Sequence, residues 1–420
     1  MDAVSSPRFF MPPTSAIAEP LSWQELESLA APVAEQSEGA TNAQARLRLF
    51  GQDPSQVVVT LYRDHHAWCP YCQKVWLWLE FKRIPYRIRK VTMRCYGRKE
   101  PWFLKLVPSG MLPALELEGR LITESDEILL ALETRFGPLG LGMTTPEAMR
   151  LRQLERLLFQ AWCLWLCRPG LGEAADQRAM QQFRTIARRF EQELNRSSGP
   201  WLDPNAPGTV DLVFVPYVER MNASLTYYKG YRLRREHPAI DRWFRALESL
   251  DTYRGTQSDM HTHVHDLPPQ MGGCWSNGSE AAHLLAERIN RGEGMGEEEA
   301  SWGDEDGSHQ AAIALQRVLR HRQRLLGLNP IGSDGFDQPL RCALTHLVTG
   351  RTPRPTQGTA KALRHLRDRI SVPRDMPLPA GRLLRRALEF TAAQDSPEQP
   401  AGLPTRDRFD QDPEPFMTGS

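Results

Sequence analysis

The stretch AWCPYCQKVWLWLE, residues 67–80, decides how this chain is read. Two cysteines, Cys69 and Cys72, flank Pro-Tyr, and an apolar helical pattern follows at once. Pro70 falls at the first helical position, where its missing N–H would have had no partner in any case. Cys69 then sits just before the first turn, where unpaired backbone N–H groups and the positive end of the helix dipole converge. That environment favours thiolate over thiol, and thiolate is the nucleophilic form. Cys69 is the candidate attacking group, with Lys74 as a further positive charge nearby. Cys72, one turn in and more deeply placed, is close enough to form a disulfide with it. A zinc clip would need further ligands, and no second CxxC is present. A pair of inert core thiols is the other bland reading, against which the proline at the helix start argues.

Outward from this stretch the pattern is short and regular. VVVTLY (57–62) reads as a buried strand, RDHHAW as a loop, and the helix then runs to about Arg83. IPYRIRKVT (84–92) reads as a second strand and EPWFLKL as a short helix. LPALELEG and RLITES follow as a hairpin, and SDEILLALETRFG as a closing helix. The order is β-α-β-α-β-β-α over residues 56–138. Pro113 stands immediately before a strand, and Glu124 and Ser125 stand at a strand-to-helix junction. There a hydroxyl and helix N–H groups can hold a carboxylate, while Glu124 can take an ammonium. The bland alternative is a plain helix cap by Ser125.

Residues 145–255 read as an all-helical domain. Met180, Phe183, Ile186, Phe190 and Leu194 form one apolar stripe, and Ile240, Trp243, Leu247 and Leu250 form another. TVDLVFVPYVERM (209–221) reads as a buried helix kinked at Pro216. Residues 1–55 read as an N-terminal extension and 256–308 as a connecting segment ending in an acidic linker. Residues 309–392 read as a basic helical extension, with helices near 309–326, 359–370 and 381–392, and 393–420 as a disordered tail. Between Gln310 and Ala392 fifteen Lys and Arg face five Asp and Glu, just after seven acids from Glu293 to Asp306. Mutual neutralisation is the favoured reading of that pair. Nucleic acid is not the expected partner, since the patch lacks interleaved aromatics.

Bulk properties narrow the class. The charges nearly cancel, 52 Lys plus Arg against 51 Asp plus Glu, so no global field marks a partner. No apolar run approaches the ~20 residues that span a bilayer, and no membrane partner is expected. The first twenty residues lack the basic and apolar regions of a secretion signal. Seven scattered cysteines suit a reducing compartment, and the expected location is the cytoplasm. Cys163 and Cys167 read as core residues, and Cys95, Cys274 and Cys342 carry no spacing signal. The run HTHVHD, with His261, His263 and His265, reads as a loop with exposed histidines, a metal site being the sharper alternative. No metal site is expected.

CPYC, LP before a strand and ESDEI together resemble the glutathione transferase superfamily. The fold class that follows is α/β plus all-α: a thioredoxin-like domain, a helical glutathione-transferase domain, then a mostly helical extension. KEPWFLKLVPSGMLP is similar to the stretch of the cysteine-type omega branch whose lysine binds glutathione. The resemblance implies Cys69 as nucleophile, with Lys99, Leu112, Glu124 and Ser125 as glutathione ligands. It also implies a cis Pro113 facing the cysteine, and Tyr71 flanking the tripeptide. GTVDL resembles the Ser/Thr-x-x-Asp box that opens a buried helix in this superfamily, with Gly208 in place of the hydroxyl residue. The layout with its long extension looks most like the iota class of photosynthetic organisms.

The function implied is a glutathione-dependent thiol transferase acting on mixed disulfides, with dehydroascorbate reduction by the same thiolate. Glutathione is the expected cosubstrate, and a homodimer is compatible with the family. Two rivals are carried beside it: a non-catalytic binding or scaffold module, and an iron–sulfur cluster shared by two chains through Cys69 and glutathione.

Overall fold

The computed structural model describes residues 19–170, 172–294, 307–397 and 407–417. Its first elements are a short helix α1 (Trp23–Ser28) and a two-residue strand β1 (Leu47–Arg48). The run expected from sequence follows: β2 (Val59–Asp64), α2 (Pro70–Lys82), β3 (Tyr86–Val91), α3 (Pro101–Leu106), β4 (Ala114–Leu117), β5 (Arg120–Thr123) and α4 (Ser125–Phe136). The sheet order is β1-β3-β2-β4-β5. β2 and β3 are parallel, which requires a crossover, and α2 supplies it. The other pairings are antiparallel.

α2 is buried on all sides, from Cys72 through Glu80. A helix apolar all round must have cover all round. The sheet covers one face of α2, and α7 (Thr209–Lys229), the central helix of the second domain, covers another. Around α7 stand α5 (Pro146–Leu166), α6 (Glu173–Leu194), the short α8 (Leu233–Glu236), α9 (Pro238–Glu248) and α10 (Asp251–Arg254). Both domains share one hydrophobic core, in which Trp76, Trp78, Trp162 and Trp243 are buried.

The start of α7 shows how this core tolerates polar groups. Gly208 caps the helix with no side chain to offer, and Asp211 takes over the whole task. Its carboxylate accepts from the Gly208 N–H at 3.1 Å, the Leu202 N–H at 2.9 Å and the Trp243 indole at 2.9 Å. Half of the capping box therefore survives the loss of the hydroxyl, with the acid reaching back to the cap backbone. Thr209, next in line, donates to Glu133 at 2.7 Å and accepts from the Trp78 indole at 3.1 Å, which ties α7 to α4 and α2. α7 runs unbroken through Pro216.

The expectations for the rest of the chain need correction. The segment 256–308, read as connection and linker, carries α11 (Met260–Met271) and α12 (Glu280–Asn290), both packed on α7. The HTHVHD run is the first turn of α11 and is not an exposed loop: His261 and His263 are 3% and 2% exposed. The acids at 295–306 lie outside the described residues.

The extension builds a second core from α13 (Gly307–Arg320), α14 (Arg322–Leu328), α15 (Gly332–Thr349), α16 (Ala360–Arg367) and α17 (Leu378–Asp395). α15 was not foreseen. Leu26 of α1 is buried in this core, whereas Ala43 and Ala45 of the same N-terminal extension join the first core. Within the stretch read as a disordered tail, residues 407–417 hold a 3₁₀ turn and α18 (Glu414–Met417). Arg408 there is buried against Asp266 of α11 at 2.8 Å, a contact no sequence separation of this size reveals. Residues 393–397 end α17, and the remainder of that stretch lies outside the described residues.

Replacing Asp211 by Ala removes the acceptor for the backbone N–H groups of Leu202, Asp203 and Gly208 and for an indole in a dry core. The expected cost is at least about 4 kcal/mol, at ~1–3 kcal/mol per stranded donor, read from chemical denaturation of the full chain.

Candidate active site

Cys69 occupies the N-cap of α2 with no side-chain cap bond, and Pro70 is the first helical residue. The peptide bond Leu112–Pro113 is cis, and the Leu112 carbonyl lies 4.0 Å from the Cys69 Sγ. Cys69 is 5% exposed and Cys72 1%. The two sulfurs are not equivalent. Burial, and then a hydrogen bond to the Cys69 sulfur, push the Cys72 thiol well above its usual value, so Cys72 keeps its proton and donates it.

Lys99 lies beside this pair. Burial pulls its ammonium down, while Cys72, Glu100 and Cys69 pull it back up. Its Nζ donates to the Thr92 carbonyl at 3.0 Å, and its chain passes the loop at Gly110 that leads into Leu112. At the other edge Glu124 is the N-cap of α4, exposed, with φ 65° and no side-chain cap bond. A non-glycine residue at such a φ is held there by its surroundings at a cost, a feature that gathers at functional sites. Ser125 is the first residue of α4, buried, and the plain cap reading for it does not hold. The first-turn N–H groups of α4 thus have no side-chain cap among the described residues. Tyr71 is 43% exposed and meets Tyr217 of α7 edge-on, at 6.0 Å between ring centres. Phe159 of α5 completes an aromatic wall 5.3 Å from Tyr217. Lys74 is committed elsewhere, to Asp126 at 2.6 Å.

Several residues at the site went unnoticed in the sequence. Asp64, the last residue of β2, is 1% exposed and accepts from the Trp68 N–H across the active loop. Its carboxylate and the two sulfurs lie within 4.8 Å of one another, the one such cluster of three among the described residues. That cluster, rather than the histidine run, is where donor atoms converge. Arg220 of α7 donates to the Trp68 carbonyl and lies over the Trp68 ring, 4.5 Å from its centre. Gln73 on α2 bridges Glu219 at 2.9 Å and Arg220 at 3.1 Å. His263 sits over the same tryptophan, 6.2 Å between ring centres, with both ring nitrogens unpartnered among the described residues. A legible signal existed for two of these: Glu219 and Arg220 are adjacent charges inside an otherwise apolar helix.

Two family models match the chain where these domains lie. The glutathione S-transferase N-terminal domain matches residues 68–135 and the C-terminal domain residues 173–246. Residues 68–246 carry the paired domains of the glutathione S-transferase superfamily. The glutathione S-transferase part is similar to "Glutathione S-transferase DHAR3, chloroplastic" of Arabidopsis thaliana, 24% identical over 205 residues, 49% of this chain and 75% of that relative. Among solved structures it is similar to a trimeric glutathione transferase of Leishmania, at 22% identity and TM-score 0.43. That match covers 51% of this chain and 49% of the other, so the chain spans about half the length of that protein. A dehydroascorbate reductase of Chlamydomonas reinhardtii aligns at 18% identity and TM-score 0.41, over 48% of this chain and 93% of its own. No helix among the described residues is long and apolar enough to cross a membrane.

Burial raises Glu219 from 4.5 to about 7, Arg220 lowering it only in part. A carboxyl raised in the folded state stabilises the fold at low pH, and that contribution is lost as pH climbs from 4.5 through about 7. In Glu219→Gln the loss disappears. The variant's stability relative to the parent should therefore rise by roughly 3 kcal/mol between pH 4.5 and 8, measured by urea unfolding at both values.

Proposed function

We propose that the glutathione S-transferase part of this chain is a glutathione-dependent thiol transferase with Cys69 as its nucleophile. The observation that carries this reading is the sulfur at the start of α2, 4.0 Å from the Leu112 carbonyl and beside a Cys72 that retains its proton. A glutathione tripeptide would lie extended along Leu112. The α4 N–H groups and Ser125 would take its γ-glutamyl carboxylate, Glu124 its ammonium, and Lys99 a further negative charge. Tyr71 would flank it, and the wall of Tyr217 and Phe159 would receive the other partner.

In the reaction the Cys69 sulfur attacks the glutathione sulfur of a mixed disulfide. A new S–S bond forms, the old one breaks, and the departing thiolate takes a proton from solvent. A second glutathione thiolate then attacks the adduct, freeing Cys69 and producing glutathione disulfide. In the dithiol route Cys72 gives up its proton and attacks the Cys69 sulfur, so that glutathione leaves and a Cys69–Cys72 disulfide forms, which two further glutathiones reduce to the dithiol while yielding one glutathione disulfide. Reduction of dehydroascorbate by the same sulfur would consume two glutathiones, which yield one disulfide while the acceptor gains two electrons and two protons. The name of the Arabidopsis relative favours this acceptor.

Truncating the extension does not separate the scaffold reading from the enzymatic one. The extension buries Leu26 of α1, and Ser258 and Thr262 beside α7 bond the Val372 backbone, so removing it would uncover the catalytic half. A point substitution is the better instrument. Cys69→Ser should reduce turnover of a small glutathione mixed disulfide to below ~1% of the parent, because a hydroxyl is not ionised at neutral pH. Cys72→Ser should keep the monothiol route within about tenfold. Full activity in Cys69→Ser would overturn the assignment.

A further inference from the structure

Between the glutathione S-transferase half and the extension lies a cavity of about 1010 Å³. It is bounded by β3 and the active-site loop on one side and by α13, α14 and the 407–417 segment on the other. Its lining is strongly unbalanced in charge: eight lysine and arginine side chains against three aspartates. The aspartates do not answer the cations evenly. Asp375 holds Arg374 through two bonds at 2.7 and 2.9 Å, and Asp410 holds Arg369 at 3.1 Å. Arg322 turns away to Glu27.

Four cations are left without a carboxylate partner among the described residues: Arg46, Lys90, Arg317 and Arg320. Two of them are deep. Lys90 makes one hydrogen bond, to the Gln44 carbonyl at 3.2 Å, although its ammonium has three donors. Burial and the neighbouring guanidiniums of Arg63, Arg46 and Arg317 pull that ammonium well below its usual value. Arg317 makes one bond as well, to the Asp375 carbonyl at 2.6 Å, and burial with Arg320 and Arg374 lowers it to about 10. Mutually repelling charges in a poorly solvated space are costly, and a multivalent anion removes that cost. A histidine faces the same space: the Nδ1 of His65 is buried and has no hydrogen-bond partner among the described residues.

The outer wall is of the opposite character. Leu328, Phe409, Phe416 and Met417 are among the large apolar side chains that remain exposed, at 37 to 58%, and all four line this cavity. Contiguous exposed apolar surface beside a polar pocket marks a binding site rather than a solvated face. Planar arginines together with phenylalanines also suit stacking of a flat ring.

We propose that this cavity binds a phosphorylated small molecule with an aromatic or aliphatic body, its phosphates on Lys90 and Arg317 and its body against Phe409 and Phe416. The volume matches a nucleotide-sized ligand rather than a free phosphate. The site is separate from the glutathione residues Lys99, Leu112, Glu124 and Ser125, none of which lines the cavity.

Calorimetric titration of the full chain tests this, at fixed ionic strength and saturated with S-methylglutathione so that the glutathione site is closed. ADP and pyrophosphate are the probes. The expected result is one-to-one binding of ADP, at least tenfold tighter than pyrophosphate. Arg46→Glu combined with Arg320→Glu should weaken ADP at least tenfold, with the near-UV circular dichroism unchanged, because both side chains are exposed at the rim. Absence of ADP binding, or binding unaltered in the double variant, would overturn the site. Pyrophosphate binding as tightly as ADP would overturn the role given to the apolar wall. A Cys69→Ser chain that still binds ADP separates the fate of this proposal from that of the proposed reaction.

Discussion

The buried guanidinium of Arg220 is the joint on which both domains meet. It leaves α7 of the helical domain and donates to the Trp68 carbonyl, one residue before Cys69. On the other side of the same residue the Asp64 carboxylate accepts from the Trp68 N–H. The residue that presents Cys69 to the start of α2 is thus held from both ends by charged groups in a dry environment. Such groups are tolerated only when hydrogen-bonded, and a misplaced loop would strand a cation and an anion together. Gln73, donating to Glu219 and accepting from Arg220, locks the first turn of α2 to the same network. The position of the sulfur is consequently a property of two domains, not of the CPYC loop alone.

Charge has a similar function in the extension. The excess of basic residues after Gln310 looked like a surface to be neutralised from elsewhere. In the folded chain much of it is internal and already paired. Arg364 and Arg367 share Glu389 within the extension, and Arg385 reaches Asp259 at the head of α11 at 3.0 Å. Arg408 reaches Asp266 on the same helix. α11 is therefore a docking rail: its histidines fill space beneath it and its acids receive arginines from far along the chain. Desolvation pulls His261 and His263 well below their usual values, so they are neutral packing groups at physiological pH. Other arginines of the extension, Arg317, Arg320, Arg369 and Arg374 among them, line the large cavity.

How much was legible varied with the range of the interaction. CPYC, the proline before β4 and the Glu124–Ser125 junction were readable because each is a local pattern whose chemistry sits within a turn or two. So were the amphipathic stripes of α6 and α9, whose apolar period is a direct imprint of one buried face. The HTHVHD run was misread because polar residues in a short stretch resemble a loop, and only cover by α7 and the extension makes them interior. α15 was missed because Gly332, Gly335 and Pro339 in its sequence signal a turn, which burial of Phe336, Leu340 and Leu344 overrides. Leu26 joins a core built by the far extension and Arg408 pairs with Asp266 across 142 residues, a kind of contact that no periodicity encodes.

By itself the sequence singled out Cys69 as the candidate nucleophile and determined the order of the β and α elements around it and the kinship those motifs express. These follow from backbone propensity and side-chain period, which act over a few residues. The tertiary structure alone decided which charges stand behind the sulfur, that the extension is built onto the glutathione S-transferase half, and that a cationic cavity lies between them. Those depend on burial, and burial exists only once distant segments exclude water from one another.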